Sequence, residues 1–232
     1  MKIAFLTSGG VAPCLSATIG RLAYNYMSKY PNVEIIGYIN GYKGLLLGKS
    51  IPIPYSLKDK LSNFYQFGGS PIGNSRVKLT NTEDCIKKGY IKKGENPLSV
   101  AAKQLVADGI TILHTIGGDD TNTTAADLSH HLEKNNYSLT VVGLPKTIDN
   151  DIFPINQTLG AWTAAEQGAV FFENIVNENT TSDRQLIIHE VMGRHCGWLA
   201  AATALEYRKR LDNIKFIDEI GLVKKKWDIH AL

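Results

Sequence analysis

The chain has 232 residues, of which 44% are hydrophobic and 20% charged, which excludes a largely disordered protein and suits one large or two small domains. Its net charge of +3 gives little reason to expect nucleic acid as a partner, and no apolar run is long enough to cross a membrane. The three scattered cysteines have neither disulfide nor zinc spacing, so we expect a cytoplasmic protein.

Short apolar runs alternate along the chain with longer segments of helical period. The runs predict strands at Ile3–Thr7, Val33–Ile39, Ile110–Ile116, Leu139–Leu144 and Leu186–Val191. The segments between them predict helices at Leu15–Lys29, Pro97–Asp108, Asn122–Lys134, Thr158–Asn177 and Cys196–Leu211.

Strands that are apolar throughout are typical of burial on both faces of a sheet. Their alternation with helices predicts an α/β fold, a doubly wound and mostly parallel sheet flanked by helices. We expect two domains, residues 1–150 and 151–232, with an irregular excursion from the sheet at about 41–96.

Four of the predicted strands end in loops rich in glycine and polar residues. Since ligands bind at the carboxyl ends of parallel strands, we expect the four loops to meet at one edge of the sheet. The loops are Thr7-Ser8-Gly9-Gly10, residues 117–121 (GGDDT), residues 145–151 (PKTIDND) and Met192-Gly193-Arg194.

The first two loops favour phosphate and metal binding. Gly9-Gly10 lets backbone N–H groups approach an anion at a helix N-terminus, although a plain tight turn explains the same pattern. Asp119 and Asp120 repel each other unless a cation compensates them, and carboxylates suit Mg²⁺. The alternative is that Asp120 or Thr121 caps the following helix.

The other two loops favour phosphoryl transfer. Lys146 stands beside Asp149 and Asp151, so a cation and a proton acceptor lie together, whereas a solvated turn with one surface ion pair is the alternative. Arg194 suits a phosphate through its forked donors, but an arginine at a helix start is also commonly structural. Arg76 is equally ambiguous.

Taken together and in order, these loops resemble those of the phosphofructokinase family. The resemblance runs along essentially the whole chain and extends through residues 192–198 (MGRHCGW). It implies a Rossmann-like phosphofructokinase fold and transfer of a phosphoryl group to the 1-hydroxyl of fructose 6-phosphate.

The resemblance also implies that the donor is pyrophosphate. Members that use ATP carry glycine at positions 120 and 146, where this chain has Asp120 and Lys146 like the pyrophosphate-dependent branch. A carboxylate at position 120 repels the α-phosphate of a nucleotide, and Lys146 supplies charge to the smaller diphosphate.

Residue roles follow from the same resemblance. On the donor side, Gly10, Gly118 and Arg76 contact phosphates, Asp119 holds Mg²⁺, Asp120 excludes ATP and Lys146 stabilises the moving phosphoryl group. On the acceptor side, Asp149 is the general base, Asp151 supports it or the metal, and the sugar-phosphate contacts are Thr147, Ile148, Met192, Gly193 and Arg194.

Family members continue beyond position 232, so the resemblance implies an incomplete second domain that lacks some sugar-phosphate ligands. We therefore expect association with other chains, as a homo-oligomer. Two alternatives stay open: a non-catalytic phosphate-binding or partner subunit of the same family, and a kinase that acts on another sugar phosphate.

Overall fold

A computed structural model describes residues 1–181, 185–217, 219 and 227–231. The chain forms two compact units, Met1–Thr147 and Ile148–Leu232. The strands of the first unit are β1 (Lys2–Ser8), β2 (Glu34–Tyr38), β3 (Ser50–Pro52), β4 (Ile112–Gly117) and β5 (Thr140–Pro145). Its α-helices are α1 (Leu15–Lys29), α2 (Tyr42–Leu46), α3 (Thr82–Lys87), α4 (Pro97–Ala107) and α5 (Asp119–Lys134).

The five strands form one sheet in the order β3-β2-β1-β4-β5. β1 is parallel to β2 and to β4, and β4 is parallel to β5. Only the short edge strand β3 is antiparallel, to β2. The prediction of a mostly parallel α/β sheet is therefore confirmed, and the first four predicted strands correspond to β1, β2, β4 and β5.

Both faces of the sheet are covered, which explains why its central strands are apolar without alternation. Ala4 and Leu6 of β1 belong to one buried cluster, whereas Ile3 and Phe5 belong to the cluster on the other face. Helix α1 packs against the cluster that contains Ile3 and Phe5. Its buried residues recur every four positions, at Leu15, Ile19, Ala23 and Met27. A fully buried aliphatic side chain contributes about 1.5–3 kcal/mol to folding, so this face fixes α1 on the sheet.

The excursion at residues 41–96 contains regular structure as well as turns. It comprises α2, β3, a 3-10 helix at Tyr55–Gln66 and α3. Leu61 of the 3-10 helix is buried in the same cluster as α1, and Val77 and Leu79 are buried in the cluster on the opposite face. The excursion thus packs on both faces of the sheet.

The second unit contains α6 (Ala161–Val176), a 3-10 turn at Asn177–Thr180, and α7 (Trp198–Asp212). Ala169 and Val176 of α6 pack with Tyr207 and Leu211 of α7. None of the described helices of either unit is long and apolar enough to cross a membrane.

One predicted strand is wrong. Residues 186–191 form no strand, and their side chains at Leu186 and Ile188 are 87% and 84% exposed. A strand needs a hydrogen-bonding neighbour, and no described residue pairs with this segment. Three of the four predicted loops therefore follow observed strands of the sheet, namely β1, β4 and β5.

Candidate active site

The carboxyl edge of the sheet aligns the loops of the first unit side by side. Ser8 at the end of β1 lies in register with Gly117 of β4, and Gly117 lies in register with Pro145 of β5. On the other side of Ser8, the excursion forms a parallel bridge through Ser75. The residues that come next in these four segments are Gly9, Gly118, Lys146 and Arg76. The sequence predicts that Gly118, Lys146 and Arg76 contact the phosphoryl donor. Gly9 directly precedes Gly10, for which the same is predicted.

The glycine loop after β1 is tied down by its neighbours. Gly9 adopts φ +84°, a conformation that favours glycine, and its N–H donates to the carbonyl of Ser75 at 2.9 Å. The side chain of Asn74 donates to the Gly9 carbonyl at 2.7 Å. Gly10 has open space where a side chain would begin, since the nearest atom to an added Cβ is Nζ of Lys146 at 3.9 Å.

Lys146 places a buried ammonium beside this loop. Lys146 is only 3% exposed, and its Nζ donates to the Gly10 carbonyl at 2.5 Å. The backbone N–H of Lys146 donates to the Gly117 carbonyl at 2.8 Å, which fixes the start of the loop after β5. A buried ammonium is thus held beside the glycine loop, where a bound anion would meet it.

The two adjacent aspartates begin a helix rather than capping it. Gly118 is the N-cap of α5, and Asp119 and Asp120 occupy its first turn. The alternative that Asp120 or Thr121 caps the helix is therefore wrong. Both carboxylates lie where the helix dipole favours negative charge, which partly offsets their mutual repulsion.

Asp120 is paired with a lysine that sequence reasoning missed. Its carboxylate lies 2.9 Å from Nζ of Lys78, and the two side chains are 70% and 48% exposed. Lys78 comes from the excursion, two residues after Arg76, and both are exposed while Val77 between them is buried. The exposed–buried alternation at residues 76–79 was the available signal, but its partner on α5 is set by tertiary structure.

Asp119 suits a Mg²⁺ ion that is shared with a ligand. It is exposed, and among the described residues no group of three or more His, Cys, Asp or Glu could hold a metal by itself. Mg²⁺ commonly binds one or two carboxylates together with substrate phosphates, so a single carboxylate beside a phosphate site fits this metal.

Several buried polar atoms around this edge lack a hydrogen-bond partner among the described residues. They include Oγ of Ser75, Oδ1 of Asn74 and Oγ1 of Thr121. Thr121 Oγ1 lies close to the glycine loop, 3.1 Å from a Cβ built on Gly9. Buried polar groups are normally paired, so these three atoms are open to hydrogen bonds from a bound ligand or an ordered water.

Two titratable groups near the sheet are held in their neutral forms. Burial raises the pKa of the Cys14 thiol, although the nearby Lys146 charge opposes that shift. Burial lowers the pKa of His114 on β4 to about 4. Its Nε2 forms a 2.7 Å hydrogen bond with the Tyr26 hydroxyl, so His114 is a hydrogen-bonded core residue.

In the second unit, the loop that carries Asp149 and Asp151 is organised by Asn150. Asn150 has φ +53°, and its Oδ1 accepts hydrogen bonds from the backbone N–H and the hydroxyl of Thr158 at 2.8 and 3.0 Å. Asp149 is half-buried and Asp151 is exposed. Asn150 is a positioning residue that sequence reasoning missed, because its role depends on a partner eight residues away.

The segment Met192-Gly193-Arg194 lies in the same unit. Ile148, next to Asp149, and Val191, next to Met192, pack against one cluster formed by Ala165, Leu199 and Ala202. The two loops therefore share a hydrophobic support.

Glycine is required at the centre of this second segment. A Cβ at Gly193 would lie 2.5 Å from the Cys196 carbonyl oxygen. Arg194 follows with φ +54° and an exposed side chain, and Met192 is 73% exposed.

Comparison with known proteins agrees with this architecture. A Phosphofructokinase family model matches residues 2–222. The chain is 60% identical over 231 residues to pyrophosphate–fructose 6-phosphate 1-phosphotransferase of Methylomonas methanica, an alignment that covers 100% of this chain and 56% of that protein. It is 52% identical over 230 residues to the protein of the same name from Mastigamoeba balamuthi, covering 99% of this chain and 56% of that one.

A solved structure shares the fold. The pyrophosphate-dependent phosphofructokinase from Marinobacter aquaeolei superposes with a TM-score of 0.71 at 23% identity, over 88% of this chain and 49% of that one. This chain thus spans about half the length of the curated relatives that it matches. With the family model matching nearly its full length, the chain belongs to the phosphofructokinase family.

Proposed function

We propose that this chain takes part in the reversible transfer of a phosphoryl group from pyrophosphate to the 1-hydroxyl of fructose 6-phosphate. The observation that carries the proposal is the buried ammonium of Lys146 at the Gly10 carbonyl, on the sheet edge that also holds Asp119 and Asp120. The similarity to proteins named for this reaction supports it.

The first unit is the donor side of this reaction. Gly10 and Gly118 let the backbone approach the diphosphate closely, and the exposed guanidinium of Arg76 contacts it from the neighbouring segment. Lys146 stabilises the charge that develops on the transferred group. Asp120 disfavours a nucleotide, whose α-phosphate would meet its carboxylate.

Asp119 is the residue that would hold Mg²⁺ together with diphosphate oxygens. The ion, when bound, supplies charge neutralisation to the phosphoryl oxygens. The chain's own contribution at this point is to present an exposed carboxylate at a fixed position on α5.

The second unit is the acceptor side. Asp149 takes the proton of the sugar 1-hydroxyl, whose oxygen forms a bond to phosphorus while the bond from that phosphorus to the bridging oxygen breaks and phosphate leaves. Asp151 supports Asp149 or the metal. The residues that contact the sugar phosphate are Thr147 at the end of the first unit, Ile148, Met192, Gly193 and Arg194.

Phosphoryl transfer from pyrophosphate is close to reversible, so the same groups serve the reverse reaction. In that direction protonated Asp149 returns the proton to the sugar oxygen. We also propose that the protein works in the cytoplasm and as a homo-oligomer. Small phosphorylated metabolites as substrates fit the cytoplasmic location.

A second candidate is a non-catalytic subunit that binds pyrophosphate and lacks turnover. This candidate predicts pyrophosphate binding without transfer to fructose 6-phosphate. Against it stand Asp119, Lys146 and Asp149, since a subunit that only binds has no need of a general base.

The test combines binding with turnover. Isothermal titration of the 232-residue chain with pyrophosphate and with ATP, both with Mg²⁺, measures donor choice, and a coupled assay with fructose 6-phosphate measures transfer. We expect pyrophosphate binding and no ATP binding. Lys146→Met should abolish binding, whereas Lys103→Met, an exposed lysine of α4, should bind normally.

The outcomes separate the candidates. Turnover with pyrophosphate supports the proposed enzyme, and binding without turnover supports the non-catalytic subunit. Equal or better binding and turnover with ATP would overturn the donor assignment.

A further inference from the structure

The donor preference proposed above contains an electrostatic conflict. A carboxylate at position 120 that repels the α-phosphate of a nucleotide also repels pyrophosphate, which is itself densely charged. An acidic side chain discriminates usefully between the two only if its charge is compensated and its position is fixed.

Lys78 meets both conditions. Its Nζ lies 2.9 Å from Oδ2 of Asp120, close enough to neutralise the carboxylate directly. The pair joins the excursion to the first turn of α5, beside the N-cap Gly118.

The backbone that carries Lys78 is rigidly mounted at the same sheet edge. Its neighbours Val77 and Leu79 are 6% and 1% exposed within the core. The Lys78 carbonyl accepts from the N–H of Asn81 at 3.2 Å, and three residues before Lys78, Ser75 bridges to Ser8 of β1. Lys78 is therefore fixed relative to the glycine loop that follows Ser8.

Fold stability gives little reason for this pair. Exposed ion pairs contribute little to stability, and both side chains are largely exposed. The surface pair Lys88–Asp84 offers the comparison: at 2.8 Å it has the same chemistry, but it joins residues four apart at the end of α3.

We propose that Lys78 is a positioning residue for donor choice: its ammonium holds and neutralises the Asp120 carboxylate, so that this carboxylate obstructs a nucleotide without repelling pyrophosphate. The inference rests on the proposed function. It assigns to Lys78 an action through Asp120 and not a direct contact with the diphosphate.

A double-mutant cycle on the full chain tests it, with the pyrophosphate dissociation constant measured by isothermal titration in the presence of Mg²⁺. Lys78→Met leaves an uncompensated carboxylate, so binding should weaken on the order of tenfold. In the Asp120→Asn background, Lys78→Met should change the pyrophosphate dissociation constant less than about threefold. In the wild-type background, Lys78→Arg keeps a cation beside Asp120 and should bind pyrophosphate nearly normally. Lys88→Met is the matched control and should bind as the wild type does.

Each other outcome overturns the inference. A Lys78→Met variant that binds like the control shows that the pair has no role in donor binding. The same loss in both backgrounds shows that Lys78 acts on the diphosphate itself. If the wild-type chain fails to bind pyrophosphate, the proposed function falls, and this inference with it; thermal unfolding of each variant verifies that all are folded.

Discussion

Two glycines at the same sheet edge should separate donor binding from folding. A Cβ added at Gly10 meets only Nζ of Lys146, at 3.9 Å, so Gly10→Ala fits the folded protein. A Cβ added at Gly117 lies 2.4 Å from Oγ1 of Thr121 and 2.5 Å from the Ser8 carbonyl oxygen, where backbone would have to move.

The magnitudes follow from this geometry. Gly10→Ala should change the free energy of unfolding by less than about 0.5 kcal/mol. Because its methyl group occupies the space in which the diphosphate approaches the loop, binding should weaken by about 1–3 kcal/mol, roughly 5- to 150-fold. Gly117→Ala should destabilise the fold by about 1–3 kcal/mol or more, since the clash is with backbone at the centre of the sheet edge.

Urea unfolding and isothermal titration with pyrophosphate measure the two effects separately. Wild-type binding by Gly10→Ala would refute the claim that the donor lies against this loop. Wild-type stability of Gly117→Ala would refute the close packing of β1, β4 and α5.

Three further predictions concern the base, the donor and a buried histidine. Asp149→Asn should lower turnover by about 100-fold or more while pyrophosphate still binds; near-normal turnover in the coupled assay would remove Asp149 from the role of base. Asp120→Gly with Lys146→Gly should admit ATP, as measured by titration, and no nucleotide binding would show that other residues close the site. Burial lowers the pKa of His114 to about 4, whereas in the unfolded chain this pKa has its ordinary value of 6.5. As the pH falls below 6.5, the unfolded chain therefore takes up the proton first and the free energy of unfolding decreases. This loss of about 3 kcal/mol between pH 6.5 and 4, absent in His114→Gln, should appear in urea unfolding, and equal pH profiles would contradict it.

The central sheet could be predicted from the sequence because local pattern and tertiary environment agree there. The α1 helix has the predicted bounds, Leu15–Lys29, since its apolar residues recur with helical period on the buried face. The edge strand β3 was missed because three exposed residues with a proline give no apolar run.

Other differences arise from partners that sequence reasoning does not supply. Residues 186–191 have the composition of a strand but no hydrogen-bonding neighbour among the described residues. The helix after β4 begins at Asp119 and not at Asn122, because Gly118 serves as the N-cap. Lys78 was missed because its partner lies on a distant element.

The sheet-edge residues could be predicted because parallel strands bring their carboxyl ends together. Register alone places Ser8, Gly117 and Pro145 side by side, and the glycine loop and Lys146 follow directly. That Lys146 is buried with its ammonium at the Gly10 carbonyl depends on packing and is known only from the structure.

A nuclear magnetic resonance titration of the ¹⁵N-labelled chain with pyrophosphate and Mg²⁺ is the most direct test of where the donor binds. The account predicts shifts concentrated at the backbone amides of Gly9, Gly10, Gly118 and Lys146, with none on adding ATP at the same concentration. Shifts that avoid this sheet edge, or that ATP reproduces at these four amides, would contradict it.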